Sequence, residues 1–594
     1  MIGTYAAVLA VCGASLALGQ AAIGICGVRR WSWLAPAVGL ALLAAICWAT
    51  VRLPGDGVVP AILVPVLVVA AVAYLWGRVE GGGEALRAGW PVALGALVAA
   101  SLPFLAEGHF GILGTSFNPD MSQHLLAADR LADGQGSQLL RQGYPLGPHA
   151  VVVALNKGLG IDLVQGFSGL TVAVAVLAPL TALTAFAKLR ALPRTAAALV
   201  VGLAYVVASY FAQGAFKETM EALFLLGFVL ALRGAKREWA GLSLRFVPAA
   251  LIAAGAVYAY SFPGLIWLGG AFVFWLLAEA MVERRQPPWR PLLLALLPFV
   301  VLIAPEVGRM IDFHNFETFD PNGPGLGNLF GQVSPFEALG IWPSGDFRLA
   351  PGDGAVPAIG YYLGAAFALV LLIHGIWRCA RRREVAILAG LGAVAIVYVA
   401  GRAGGTPYAT AKAIEIAAPI VALTILLPLL EEADWRLSQP LVDKTADGRL
   451  QALAAALFIA AAGVCSLLAL ANAPVGPTSY SPALTGFRPL VAADSTVVLA
   501  SRELLADEHG TPYIAWELRG GRVCIETAAE ADGSPPPGVR FVVTEADPNL
   551  PPFPGLRVRR IAPPYVLWEA AAPPKGKSPC PLIAVRQARQ GPAR

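Results

Sequence analysis

Apolar runs long enough to cross a lipid bilayer recur along most of this chain, separated by short charged loops. A hydrocarbon core about 30 Å thick needs about 20 apolar residues in helical form, because no water is present there to satisfy the backbone. Between Tyr5 and Ala471 we count about fourteen such spans, the shortest near Thr219 and Phe246. The run Ala196–Phe211 reads as one of them. Composition agrees: 57% of residues are hydrophobic and 14% charged, against about 25% charged in soluble proteins. The expectation is an all-α polytopic membrane protein.

Alternate loops carry the positive charge. Of 43 Lys and Arg, 21 fall in one set of loops, including Arg29/Arg30, Arg233/Lys236/Arg237 and Arg378/Arg381/Arg382/Arg383, and nine fall in the other. The richer set is expected to face the cytoplasm. Both termini and two long loops, 107–165 and 306–357, are then extracytoplasmic. The N-terminal run has no basic residues ahead of it and Arg29 and Arg30 behind it, so it reads as a mature span rather than a cleavable signal. No basic stripe or tail marks a nucleic-acid partner.

After Ala471 the composition turns to Pro, Gly and charge. Short β-type runs start at Thr496, Tyr513, Arg522, Val539, Leu556, Tyr565 and Leu582, bounded by turn signals. They predict a small α/β domain, mostly strands, with one short helix near Arg502–Glu508. Its two cysteines, Cys524 and Cys580, form either a disulfide or two separate thiols. Five other cysteines lie in or beside spans and read as small core residues. The organisation expected is three accessory spans (1–88), a transmembrane core (89–473) and an extracytoplasmic domain (474–594).

Polar residues concentrate on the first long loop, from Glu107 to His149. Within it, FNPDMSQHLLAADRLADG predicts a surface helix capped by Asn118 or Asp120. Asp120 and His124, four apart, share a face. A carboxylate there can take a hydroxyl proton or ligate a metal, and the pair is compatible with one divalent cation, Mg or Mn. The bland alternative is that Asp120 is only a cap.

Two further stretches place charge at membrane boundaries, where it is costly unless paired or wet. In FAQGAFKETME, Lys217 meets a phosphate, snorkels to the interface, or pairs with Glu221 one turn on. In PYATAKAIEIAAP, Lys412 faces the same choice with Glu415. Arg402 lies just before it. Arg402, Lys412 and Lys217 are the candidate phosphate contacts. The second long loop supplies Glu306 and Asp312 as further candidate acids. It also carries Phe313, Phe319 and Trp342, aromatics that either stack on sugars or anchor the loop.

A span leading into an outward loop with an early Asp, then a surface helix, then YPxGxH (Tyr144, Pro145, Gly147, His149) resembles the GT-C superfamily of membrane glycosyltransferases. The resemblance covers Trp90 to about Ala471 as an architecture and is residue-level only in the first loop. It implies a GT-C-like helical core and a polyprenyl-phosphate-linked sugar as donor. It also implies Asp120 as the base, with Tyr144 and His149 beside the donor. Asp120 stands alone between Pro119 and Met121, where the family has a doubled acidic motif, and three extra spans precede the core. The function expected is transfer of a sugar to an envelope glycan or glycolipid on the outer face of a bacterial cytoplasmic membrane. The alternatives are a transporter or flippase for an envelope lipid or polysaccharide, or a GT-C-like scaffold without catalysis. No internal repeat supports the transporter.

Overall fold

A computed structural model of the chain describes all residues except 116, 119, 284–287, 315–324, 355, 439–445, 493, 502–509, 528–535, 546, 572–574 and 577–594. The helix expected near 502–508, the strand at 582, Phe319 and Cys580 lie outside the described residues. In chain order the helices are α1 (Ile2–Ile25), α2 (Ala35–Val51), α3 (Val58–Leu75), α4 (Gly82–Ala106), α5 (Met121–Ala132), α6 (Gln138–Arg141) and α7 (Gly147–Leu159). There follow α8 (Leu163–Phe186), α9 (Ala191–Gly202), α10 (Tyr205–Ala212), α11 (Phe216–Arg237), α12 (Val247–Tyr260), α13 (Phe262–Glu283) and α14 (Trp289–Ile303). The remainder are α15 (Val307–His314), α16 (Ala358–Arg381), α17 (Val385–Gly404), α18 (Pro407–Ser438), α19 (Ala446–Ala471), α20 (Pro482–Val491) and α21 (Gly510–Glu517).

The chain divides into two units. The first comprises 1–118 and 142–475; the second comprises 119–141 and 476–594, so α5 and α6 of the first long loop belong with the C-terminal residues.

In the first unit, ten helical segments among the described residues are long and apolar enough to cross a membrane. The count is eleven if α9 and α10 form one span. The helices α2 and α12 are apolar but shorter. The expected straight span at Ala196–Phe211 is broken: α9 and α10 meet at 54°. Its apolar sequence was compatible with one helix, and only packing against neighbours decides where such a run bends.

Two helices form the centre. The apolar windows of α8 and α18 are 94% and 100% buried, whereas those of α3 and of α14 with α15 are each 11% buried and form the periphery. Lipid tails are as apolar as leucine, so helices associate here by close packing of small residues. The α1–α2 crossing shows it: a β-carbon at Gly39 would fall 1.7 Å from the Ser15 carbonyl oxygen.

The second unit holds a five-stranded sheet of β1 (Ser495–Ala500), β2 (Arg522–Thr527), β3 (Phe541–Thr544), β4 (Leu556–Ala562) and β5 (Tyr565–Ala570), in the order β2-β1-β3-β5-β4. The first three are parallel; β5 joins β3, and β4 joins β5, antiparallel. Leu484, Phe487 and Val491 form a helical stripe on α20 that buries against Val498, Phe541 and Leu567. The side chain of Ser481 caps this helix by accepting from the Leu484 amide.

The run at Tyr513 corrects an expectation. It is helical, as α21, not a strand. Ile514 and Leu518, four apart, both enter the core beneath α20, a helical spacing that a strand would split between faces. Cys524 is disulfide-bonded, and the five cysteines of the membrane region are free thiols.

Candidate functional site

The polar interior of the first unit is built where α11 and α18 face each other. A turn after α10 starts α11 at Phe216, which brings Lys217, Glu218 and Glu221 into its first turns. Lys412 and Glu415 lie in the corresponding turns of α18. Lys412 Nζ is 2.9 Å from Glu218 Oε1, with side-chain exposures of 13% and 6%. The same ammonium lies 4.2 Å from the centroid of the Tyr408 ring. Both local pairs weighed from sequence are therefore overturned. Lys412 pairs with Glu218 on another helix, not with Glu415. Glu221 and Glu415 are fully buried and their oxygens accept no hydrogen bond, so Glu221 does not pair with Lys217.

Lys217 turns instead to the first long loop. Its ammonium, on a half-buried residue, donates to the Tyr144 hydroxyl and lies 4.0 Å from that ring's centroid and 6.0 Å from the Tyr260 centroid. Two aromatic faces thus attract one cation. Tyr144 also meets Phe313 edge-on at 5.7 Å and His149 at 6.3 Å. His149 is fully buried against the edges of Phe167 and Phe216, and burial pushes its imidazole down to about 3. The Tyr144 and His149 of the motif are thus brought together with Lys217 and Phe313.

The candidate acids of the second loop separate. Glu306 is fully buried and accepts from Trp48 Nε1 at 2.9 Å, Arg52 Nη2 at 2.8 Å and Arg309 Nε at 2.6 Å. With both oxygens held by donors it is an anchor rather than an open base. Asp312 is exposed on α15, and Arg402 is exposed near the end of α17. Phe313 and Trp342 are 6% and 1% exposed, and Trp342 packs edge-on against Tyr361 at 5.1 Å. They are core residues here, not open faces for a sugar.

Sequence reasoning missed the clasp formed by the second loop. Asn328 Nδ2 donates to the Phe117 carbonyl at 3.0 Å and to Gln213 Oε1 at 2.6 Å. The Arg348 guanidinium pairs with Asp346 at 2.7 Å, donates to the Phe117 carbonyl at 3.2 Å and lies 4.2 Å from the Phe117 ring. The available signal was an arginine and an asparagine in a loop otherwise rich in Gly, Pro and aromatics.

In the second unit, Asp120 occupies the N-cap position of α5, half-buried, but its side chain does not accept from the first-turn amides. The capping role is therefore not what its carboxylate performs. His124 is buried one turn on. Asp129 lies 3.8 Å from Arg519; burial raises its carboxyl above the usual range, and Arg519 opposes that shift. Among the described residues, no three His, Cys, Asp or Glu side chains converge as a metal site.

No protein-family model matches the chain, and no curated protein matches it in sequence. Its fold is similar to that of the arabinofuranosyltransferase AftD from Mycobacteria, with a TM-score of 0.50 and 15% identity, over 81% of this chain and 40% of that one. This chain thus spans about two fifths of the length of AftD. The archaeal oligosaccharyltransferase AglB from Archaeoglobus fulgidus, in complex with an inhibitory peptide and a dolichol-phosphate, aligns over 77% of this chain and 70% of its own. Its TM-score is 0.46 and its identity 13%. The fold is the GT-C fold expected from the first loop.

Proposed function

We propose that this chain, with its GT-C fold, is a membrane glycosyltransferase. In this reading it moves a sugar from a polyprenyl-phosphate donor to an envelope glycan or glycolipid, on the outer face of a bacterial cytoplasmic membrane. The observation that carries the reading is the similarity in fold to an arabinofuranosyltransferase over 81% of the chain.

Three basic residues were candidates for the donor phosphate. Lys412 already has its charge balanced by Glu218, and Arg402 is exposed near the end of its helix. Lys217 suits the role best: it is half-buried, it donates to the Tyr144 hydroxyl of the first-loop motif, and a compact ammonium is a good phosphate partner. Asp120 is the base. Its carboxylate takes the proton of the acceptor hydroxyl as that oxygen bonds to the anomeric carbon. The bond from that carbon to the phosphate oxygen breaks in the same displacement, inverting the sugar, and the lipid phosphate leaves with the electron pair. Asp120 and His124 alone do not make up the ligand set of a divalent cation among the described residues, so no step is routed through one.

The test is sugar transfer by the purified protein in nanodiscs, with a panel of polyprenyl-phosphate sugars and envelope-lipid acceptors. Asp120→Asn is expected to lower kcat by about 100-fold or more. Lys217→Gln is expected to raise the donor KM. Full turnover in Asp120→Asn would remove Asp120 from the mechanism. Movement of the lipid between leaflets without transfer would replace the enzyme reading with a flippase.

A further inference from the structure

Two tyrosines lie beside Lys217, and each adjoins an unusual backbone position. Tyr144 follows Gly143, at φ +69°. A β-carbon there would fall 2.4 Å from the Arg309 carbonyl oxygen and 2.7 Å from the Phe313 amide nitrogen, so only glycine permits this approach. Tyr260 precedes Ser261, which is fully buried at φ +64° and ψ −155°. A serine held there stores strain that its surroundings must sustain.

One side chain touches both positions. Arg309 Nη1 donates to the Gly143 carbonyl at 2.9 Å and to Ser261 Oγ at 3.4 Å, and Nη2 donates to the Val257 carbonyl at 2.9 Å. Its Nε is held by Glu306 at 2.6 Å. Glu306 is in turn fixed by Trp48 and Arg52 at the end of α2. A planar fork with several fixed donors can define such spacings, which a single ammonium cannot.

We infer that Arg309 is a positioning residue: it sets the separation of Tyr144 and Tyr260, and thereby the orientation of the Lys217 ammonium between them. The inference rests on the proposed role of Lys217 only for its catalytic consequence. The structural arm of the test is independent of that role.

The experiment measures acylation of Lys217 by a water-soluble amine reagent, read by mass spectrometry on the full chain in nanodiscs. The variants are Arg309→Gln, Arg309→Lys and Arg52→Gln. Arg309→Lys keeps a cation beside Glu306 but loses the fork. Arg52→Gln removes the other cation from Glu306 without touching Gly143 or Ser261. Loss of charge-assisted bonds of this kind predicts a rate change at Lys217 of about tenfold in both Arg309 variants, and little in Arg52→Gln. Equal labelling in wild type and Arg309→Lys overturns the inference. So does an equal change in Arg52→Gln, because Arg309 would then serve only the charge of Glu306. If Arg309→Gln does not fold, Arg309→Lys carries the test. The second arm is transfer kinetics, where Arg309→Lys should raise the donor KM more than it lowers kcat. Altered labelling with an unchanged donor KM would uphold Arg309 as positioning and reject Lys217 as the phosphate contact.

Discussion

Replacing Glu218 by Gln would leave the Lys412 ammonium buried without its counter-charge. At 2.9 Å, the attraction between unit charges is about 6 kcal/mol for an effective dielectric of about 20. Desolvation of both groups offsets much of that, and an intact buried pair is weak evidence for net stability. Breaking the pair is different, because the remaining charge keeps its desolvation cost; we expect Glu218→Gln to lose about 3–5 kcal/mol. Glutamine matches glutamate in volume, so the loss would not reflect a cavity. Lys412→Met, also close in volume, should cost a similar amount alone. The double variant should lose no more than either single, so that the coupling energy is at least one single loss, about 3 kcal/mol or more. The assay is unfolding in mixed micelles with increasing SDS, followed by tryptophan fluorescence. Single variants that each lose less than about 1 kcal/mol, or a double variant that loses their sum, would refute the reasoning.

Four further outcomes are expected. Unfolded His149 gains a proton below its ordinary value of 6.5, whereas the folded residue does so only near 3. Stability should therefore fall as pH drops from about 6.5 towards 3, by about 2 kcal/mol at pH 5, and His149→Phe should flatten that slope in pH-dependent unfolding. Reducing the Cys524 disulfide should destabilise the C-terminal unit by about 2–4 kcal/mol, read as earlier proteolysis within 476–594. Phe487→Ala, at a fully buried position, should lose about 3–5 kcal/mol in thermal unfolding of the same unit. Arg348→Ala removes one of the two donors to the Phe117 carbonyl, leaving Asn328, and faster amide exchange around Phe117 is the expected sign.

The sequence by itself determined the membrane class, the positions of most helices and the GT-C resemblance, because these depend on local signals. A run of apolar residues must become a helix in lipid wherever it sits. Strands at 495–500, 522–527, 541–544, 556–562 and 565–570 were legible for a similar reason: β-branched runs between turn residues carry their own preference. The failures share one cause. TPYIAWEL reads as strand or helix until the sheet beneath α21 chooses the face that Ile514 and Leu518 bury. Lys217 and Lys412 each had a carboxylate within one turn, yet Lys412 met Glu218 across a helix interface and Lys217 reached Tyr144 rather than Glu221. A charge leaving water takes the partner that best offsets its desolvation, and which helices face each other decides which partner is in reach. Glu306, expected as an acid, became an anchor because the ends of α2 and α15 supplied three donors. Spacing along the chain presents the candidates, and tertiary packing alone selects among them, because burial cost depends on neighbours that are distant in sequence.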